Sequence, residues 1–246
     1  MGIPKLGIVI AIDGPAGTGK STATRRLADR LHFVHIDTGA LYRAVGLLLM
    51  ERLSSRSYAE IAPLDHRSLD ENSLAVEIAR GVHLEFRRFP EKNPANRIFA
   101  NGRDLTDLIR TSAVTQMSSR VSAFPGVRAA LMGLQRRLGC QGNSILEGRD
   151  IGTVIFPDAD VKFFLHASVD QRAQRRLIEL EAAGSDSPSF EEVRAQIIER
   201  DRLDTTRAVA PLKKAADAIE LDTSELTLDQ VVDSMAATIQ NRMQGK

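Results

Sequence analysis

The chain has 246 residues, 43% hydrophobic and 26% charged, and its 33 Lys and Arg against 32 Asp and Glu leave a formal net charge of +1. That length buries a sizeable core, and the balance of charge excludes a whole-surface attraction to nucleic acid or membrane. One cysteine, Cys140, excludes an internal disulfide and a Cys-rich metal site. It suits a reducing compartment, and no apolar stretch approaches the roughly 20 residues of a membrane span. A cytosolic monomer is the expectation, with neither nucleic acid nor membrane as partner.

Residues 6–12 are an apolar run that ends at Asp13 and continues into glycine-rich sequence, so it reads as a core strand rather than a leader. Gly14, Pro15, Ala16, Gly17, Thr18, Gly19, Lys20 and Ser21 follow, and Thr22 opens an amphipathic stretch that reads as a helix to about Leu31. Strand, GxxxxGK[ST] and helix in that order make a phosphate site. The glycines let the backbone turn its N–H groups onto an anion, and the helix adds the positive end of its dipole. Lys20 suits the β- and γ-phosphates of a nucleoside triphosphate, and the Ser21 hydroxyl suits Mg²⁺ carried by that nucleotide.

Residues 32–36 read as a second buried strand ending in Asp37-Thr38-Gly39, and residues 40–53 as a helix with Thr38 as N-cap and with Tyr42 and Arg43 in its first turns. This alternation predicts a parallel sheet with crossover helices. The pattern changes between about 54 and 107. Three alternating segments, 74–78, 82–86 and 98–100, with Asn101-Gly102 as a tight turn, predict a small inserted antiparallel sheet. Such an insert suits either a second substrate or an interaction module.

Residues 108–111 and the Ser/Thr-rich segment after them read as helix and turn, and 127–138 as a helix carrying Arg128, Arg136 and Arg137. A third core strand, 144–147, leads into Gly148-Arg149-Asp150-Ile151-Gly152, and a fourth spans 161–165. Ser168 with Gln171 caps a helix to about 182, a loop covers 184–188, and Ser189 with Glu192 caps a helix to about 203. Residues 219–221 form a last strand, and Thr227 with Gln230 caps a terminal helix.

Loops beyond the carboxyl ends of the strands converge on one edge of such a sheet. That places Asp13 and the phosphate loop, Asp37-Thr38-Gly39 and Gly148-Arg149-Asp150 together, with Arg149-Asp150 readable also as a local salt bridge. Arg172, Arg175 and Arg176 share one expected helix, and Arg200, Asp204 and Arg207 share a face of the next. These arginines are either a solvated charged face or, since so many guanidinium groups would repel, a site that needs an anion between them.

Residues 14–22, 35–43, 109–111, Phe124-Pro125-x-Val127-Arg128, Gly148-Arg149-Asp150-Ile151-Gly152-Thr153-Val154-x-Phe156-Pro157 and Arg200-Asp201-x-x-Asp204-x-x-Arg207-x-x-Ala210-Pro211-Leu212 together resemble the bacterial cytidylate kinases, in order and over essentially the whole chain. The resemblance implies an α/β nucleoside-monophosphate kinase fold with a parallel five-stranded P-loop core, an inserted antiparallel β domain and a helical lid. As parts of one unit spanning 1–246, these would be core 1–37, 106–166 and 210–246, insert 38–105 and lid 167–209. The implied reaction is ATP with CMP or dCMP to ADP with CDP or dCDP, with Mg²⁺. The nearest rival is another small-acceptor kinase, for UMP, AMP, shikimate or dephospho-coenzyme A, and a more distant one is a nucleotide-dependent switch.

The resemblance also implies residue roles. Gly14 to Thr22 would bind ATP. Ser119, Arg128 and Asp150 would contact cytosine, with Asp150 accepting from the exocyclic amine that uracil lacks. Arg43, Arg149 and Arg207 would hold the monophosphate, with Thr38 close by, and Arg200 and Asp204 would lie near the ribose. One of Arg172, Arg175 and Arg176 would join Lys20 in meeting the transferring phosphoryl group. Glu147 departs from an expected Asp or small residue, and Leu203 and Thr205 stand at lid positions that are arginine in some relatives. No general base is required, because the acceptor is an ionised phosphate oxygen.

Overall fold

The computed structural model of the chain describes residues 4–56, 70–89, 91, 96–182 and 188–244. The chain divides into two compact units, residues 1–37 with 136–246, and residues 38–135. The expected loop at 184–188 falls, except for Pro188, outside the described residues.

The first unit is built on a five-stranded sheet in the order β2-β6-β1-β7-β8, with every pairing parallel. Its strands are β1 (Val9–Asp13), β2 (Val34–Asp37), β6 (Ser144–Gly148), β7 (Val161–His166) and β8 (Ile219–Asp222). β1 is central and buried at all five positions, which is why it reads as a continuous apolar run instead of an alternating one. Ile10, Ile12, Phe163 and Leu165 of the sheet pack with Leu27 of α1 (Lys20–Leu31) and with Val231, Met235 and Ile239 of α8 (Leu228–Gln244). α6 (Val169–Ala182) and α7 (Phe190–Thr206) have a small core of their own, Ala173, Val193 and Ile197 with Leu177 and Phe190 around them. The expected capping box at Ser189 forms in both directions, and Thr227 and Gln230 exchange bonds in the same way.

The second unit holds α2 (Thr38–Arg56), α3 (Glu71–Gly81), an antiparallel sheet of β3 (Leu84–Arg88), β4 (Asn96–Ala100) and β5 (Arg103–Asp104), α4 (Ser112–Ala123) and most of α5 (Pro125–Gly139). Leu41, Val45, Leu49, Leu74, Leu105, Val121, Val127 and Leu131 form its core. Asn101 and Gly102 take φ of 49° and 81°, the paired left-handed conformation of a two-residue hairpin turn.

Three expectations fail locally. Residues 74–78 are helical: Asp70 caps α3 by accepting from the Ser73 N–H at 2.6 Å, and Leu74, Ala75 and Ala79 lie buried. Leu, Ala and Glu are strong helix formers, and that local preference joins a helical burial face. The Ser/Thr-rich stretch after the 3₁₀ turn Leu108–Arg110 is a full helix, α4, capped by Thr111. Thr38, expected as an N-cap, is already the first residue of α2, because β2 runs straight into that helix. Among the described residues, no helix is long and apolar enough to cross a membrane.

Candidate active site

The phosphate loop leaves β1 through Gly14, whose φ is 151° and whose added Cβ would lie 2.0 Å from the Leu165 carbonyl oxygen, so only glycine fits. Gly17 (φ 78°) approaches the Cβ of Arg172 on α6 in the same way, at 3.0 Å from an added Cβ. α1 begins at Lys20 with no side-chain cap on its first amides and no acidic residue in its first turn, in contrast to the fully capped α7. Uncapped amides at a helix N-terminus suit an anion. Lys20 is buried, and its Nζ donates to the Pro15 carbonyl at 3.4 Å. Burial lowers its pKa to about 8, helped by the charges of Arg149 and Arg200 and opposed by Glu147 and Asp37.

Behind the loop, the Ser21 Oγ donates to Glu147 Oε2 at 2.6 Å, and His35 Nε2 lies 2.8 Å from Oε1 of the same carboxylate. Burial works against a charged His35, but the hydrogen bond and charge of Glu147 and the charge of Asp37 outweigh it and raise the imidazole's pKa. The departure at Glu147 therefore has a structural consequence. Its longer side chain ties β2 and β6 to the first turn of α1.

Beyond β6, Arg149 reaches α7 and Asp150 faces Arg207. Arg149 Nε donates to Asp204 Oδ2 at 2.8 Å, while Arg207 lies 3.7 Å from Asp150 Oδ1 and 3.6 Å from Asp204 Oδ1. Burial would raise the Asp204 pKa, yet the charges of Arg149, Arg200 and Arg207 hold it below the ordinary carboxylate value. Arg149 is correspondingly held above the usual guanidinium value, chiefly by Asp204, against its own burial. Arg149, Asp150, Arg200, Asp204 and Arg207 thus form one partly neutralised cationic cluster, whose Arg149 and Arg200 act electrostatically on Lys20.

The three arginines of α6 differ from one another. Arg172 is buried, grips Asp201 with two bonds of 3.0 and 2.6 Å, and donates to the carbonyls of Ala167 and Ala16. Arg175 donates to the Thr18 carbonyl at 3.4 Å and to Thr223 and Ser224 after β8. Arg176 pairs with Glu179 on the surface. One carboxylate of α7, Asp201, thus meets an arginine of α6 and offsets part of the repulsion between the two helices.

Thr38, Arg43, Ser119 and Arg128 belong to the second unit. Thr38 is buried at the start of α2, and Arg43 lies in its second turn. Ser119 donates to the Thr115 carbonyl at 3.4 Å within α4. Arg128 is buried, donates to the Ser122 carbonyl at 3.2 Å and stands 5.4 Å over the Tyr42 ring.

Sequence reasoning missed the partners behind these residues, namely His35, Asp201 and the role of Asp13. Asp13 accepts from the Ile151 and Gly152 amides at 2.8 and 2.7 Å. A lone carboxylate closing an apolar strand immediately before the loop was the available signal. Among the described residues, no group of three or more His, Cys, Asp or Glu could hold a metal ion. The donor set at the loop is one hydroxyl with one carboxylate hydrogen-bonded to it, which fits a hard cation that arrives with phosphate oxygens.

Comparison with known proteins agrees with this geometry. The family model for cytidylate kinase matches residues 10–241. A cytidylate kinase of Citrifermentans bemidjiense is 46% identical over 237 residues, covering 96% of this chain and 94% of that protein. One from Limosilactobacillus fermentum is 40% identical over 240 residues, covering 98% and 99%. A bifunctional pantoate ligase/cytidylate kinase of Synechocystis sp. is 45% identical over 227 residues, 92% of this chain and 42% of that protein. A parallel sheet with its phosphate loop between β1 and α1, an arginine-rich cluster past β6, and these relatives along nearly the full length place the chain in the cytidylate kinase family.

Proposed function

We propose that the chain transfers the γ-phosphoryl group of ATP to CMP or dCMP, giving CDP or dCDP. The observation that carries this reading is the pairing of an anion-ready loop around Lys20 with the Arg149, Asp150, Asp204 and Arg207 cluster past the next strand of the same sheet. Such a cluster suits a phosphorylated acceptor and has no task in a switch protein.

The loop residues 14–22 would take the ATP phosphates on backbone amides, with Lys20 as the movable cation. Mg²⁺, when bound with ATP, neutralises phosphate charge; Ser21 would hold it, with Glu147 orienting that hydroxyl. Arg149 and Arg207 would hold the acceptor's phosphate, and Arg200 and Asp204 its ribose. Asp150 would accept from the cytosine amine. On the family resemblance, Arg43 and Thr38 add to the phosphate contacts, and Ser119 and Arg128 to the base contacts. Arg172 and Arg175 reach loop carbonyls, which supports a role close to the transferring phosphoryl; Arg176 pairs on the surface and has the weaker claim. The acceptor oxygen is already ionised, so alignment and charge neutralisation are the chemistry this chain supplies.

Replacing Asp150 by Ala tests the reading. Loss of one base-reading contact is expected to raise the KM for CMP roughly ten- to a hundredfold, with a far smaller change in the KM for ATP. An equal change in both would remove Asp150 from base recognition.

A further inference from the structure

Directly after Arg149 and Asp150 the chain makes a single π turn, Ile151–Ile155. The Phe156 N–H bonds the Ile151 carbonyl at 2.7 Å, and the Asp150 carbonyl accepts from the amides of Val154 and Ile155 at 2.9 and 3.1 Å. An isolated turn of this kind is rare, and its leading amides and trailing carbonyls have no partner within the turn. Two ionic side chains from elsewhere supply both. At the leading end, the two carboxylate oxygens of Asp13 take the amides of Ile151 and Gly152, one each. At the trailing end, Arg136 donates Nε to the Ile155 carbonyl at 3.0 Å and a terminal nitrogen to the Val154 carbonyl at 3.1 Å. Anion at the start and cation at the end match the dipole of the turn.

This clamp has a specific mechanical reach. The Ile151 amide and the Asp150 carbonyl belong to one peptide plane, and both ends of that plane are bonded. The direction in which Asp150 leaves the backbone is therefore fixed, and Arg149 is one residue further on. The approach is also close: a Cβ on Gly152 would stand 3.4 Å from Asp13 Oδ2 and 3.1 Å from Lys162 Cδ. Asp13 is almost fully buried, and burial raises its carboxyl pKa to about 6 against the pull of the two amides. A buried carboxylate is a costly way to hold a turn unless its geometry matters.

We propose that Asp13 is a positioning residue for the acceptor nucleotide: by holding the two leading amides of the π turn it sets Arg149 and Asp150, and Arg136 supports the same turn from its far end. The inference rests on the acceptor reading of Arg149 and Asp150.

The test compares the full-length protein with Asp13→Asn and Arg136→Met. Asparagine keeps the shape but offers one acceptor where two are used. Steady-state KM is measured for CMP at saturating ATP and for ATP at saturating CMP, with amide exchange followed across 149–156 by mass spectrometry. The expected result for Asp13→Asn is a rise of about tenfold or more in the CMP KM, a change under about threefold for ATP, and faster exchange at Ile151 and Gly152. Arg136→Met is expected to act in the same direction, and the double variant to fall short of the product of the two effects. An unchanged CMP KM, or equal rises in both KM values, overturns the proposal. If Asp13→Asn does not fold, Arg136→Met decides alone: a CMP KM equal to that of the parent overturns it. Failure of the parent protein to use CMP is a failure of the functional reading, visible before any variant is made, and the same comparison then runs on the acceptor it does use.

Discussion

Lys20 is a cation buried in a loop that holds no carboxylate of its own, and burial lowers its pKa to about 8. The folded-state pKa lies below the model value of 10.5, so the fold favours the neutral amine. The associated stability is fully present above that model value and is lost as pH falls through about 8, leaving a cost of about 3 kcal/mol at neutral pH. Phosphates bound beside Lys20, as proposed, would reverse the preference. Nucleotide binding at pH 8.5 is therefore expected to take up a large fraction of a proton, read by calorimetry in buffers of different ionisation enthalpy. Lys20→Arg, always protonated, should abolish the uptake. Proton release, or equal uptake in the variant, would contradict this account of Lys20. The loop was legible in the sequence because its residues are contiguous and their spacing is the mechanism. His35 with Glu147, and Asp13 with Ile151, were not legible, because they meet across 112 and 138 residues through strand register alone.

At the scale of elements, α1 and the five core strands followed from the apolar runs and the glycine-rich loop, and the capping boxes at Ser189 and Thr227 marked their helices correctly. α3 did not follow. Leu74-Ala75-Val76-Glu77-Ile78 alternates in hydrophobicity, but Ala75 is small enough to be read as either face, and it is the residue that decides. In a strand it would point away from Leu74; in α3 it is buried beside it. Ala75→Asp is accordingly expected to destabilise the 38–135 unit by more than about 3 kcal/mol, since it buries an unpaired charge. Denaturant unfolding checks this, and a near-neutral result would restore the strand reading. The arginine-rich helices were legible as a pair, but their charge balance was not. Asp201 looks like an ordinary surface acid in sequence and becomes the partner of Arg172 only once α6 and α7 pack together, and the pairing of Asp204 with Arg149 appears only when α7 meets the end of β6.

At the scale of the whole molecule, the near-zero net charge hides a local concentration of both signs. Lys20, Arg149, Arg200 and Arg207 gather in the first unit with Asp13, Asp37, Glu147, Asp150 and Asp204 among them, while surface pairs such as Arg202 with Glu199 cancel elsewhere. The β/α alternation disclosed the parallel sheet, and the change of rhythm after about residue 54 disclosed the antiparallel one. The central claim is about the acceptor, and it is tested most directly by ADP release from ATP and Mg²⁺ with CMP, dCMP, UMP, AMP and shikimate offered one at a time. The account expects strong turnover with CMP and dCMP and little with the rest. Turnover led by UMP or AMP, or none with any acceptor, would contradict it.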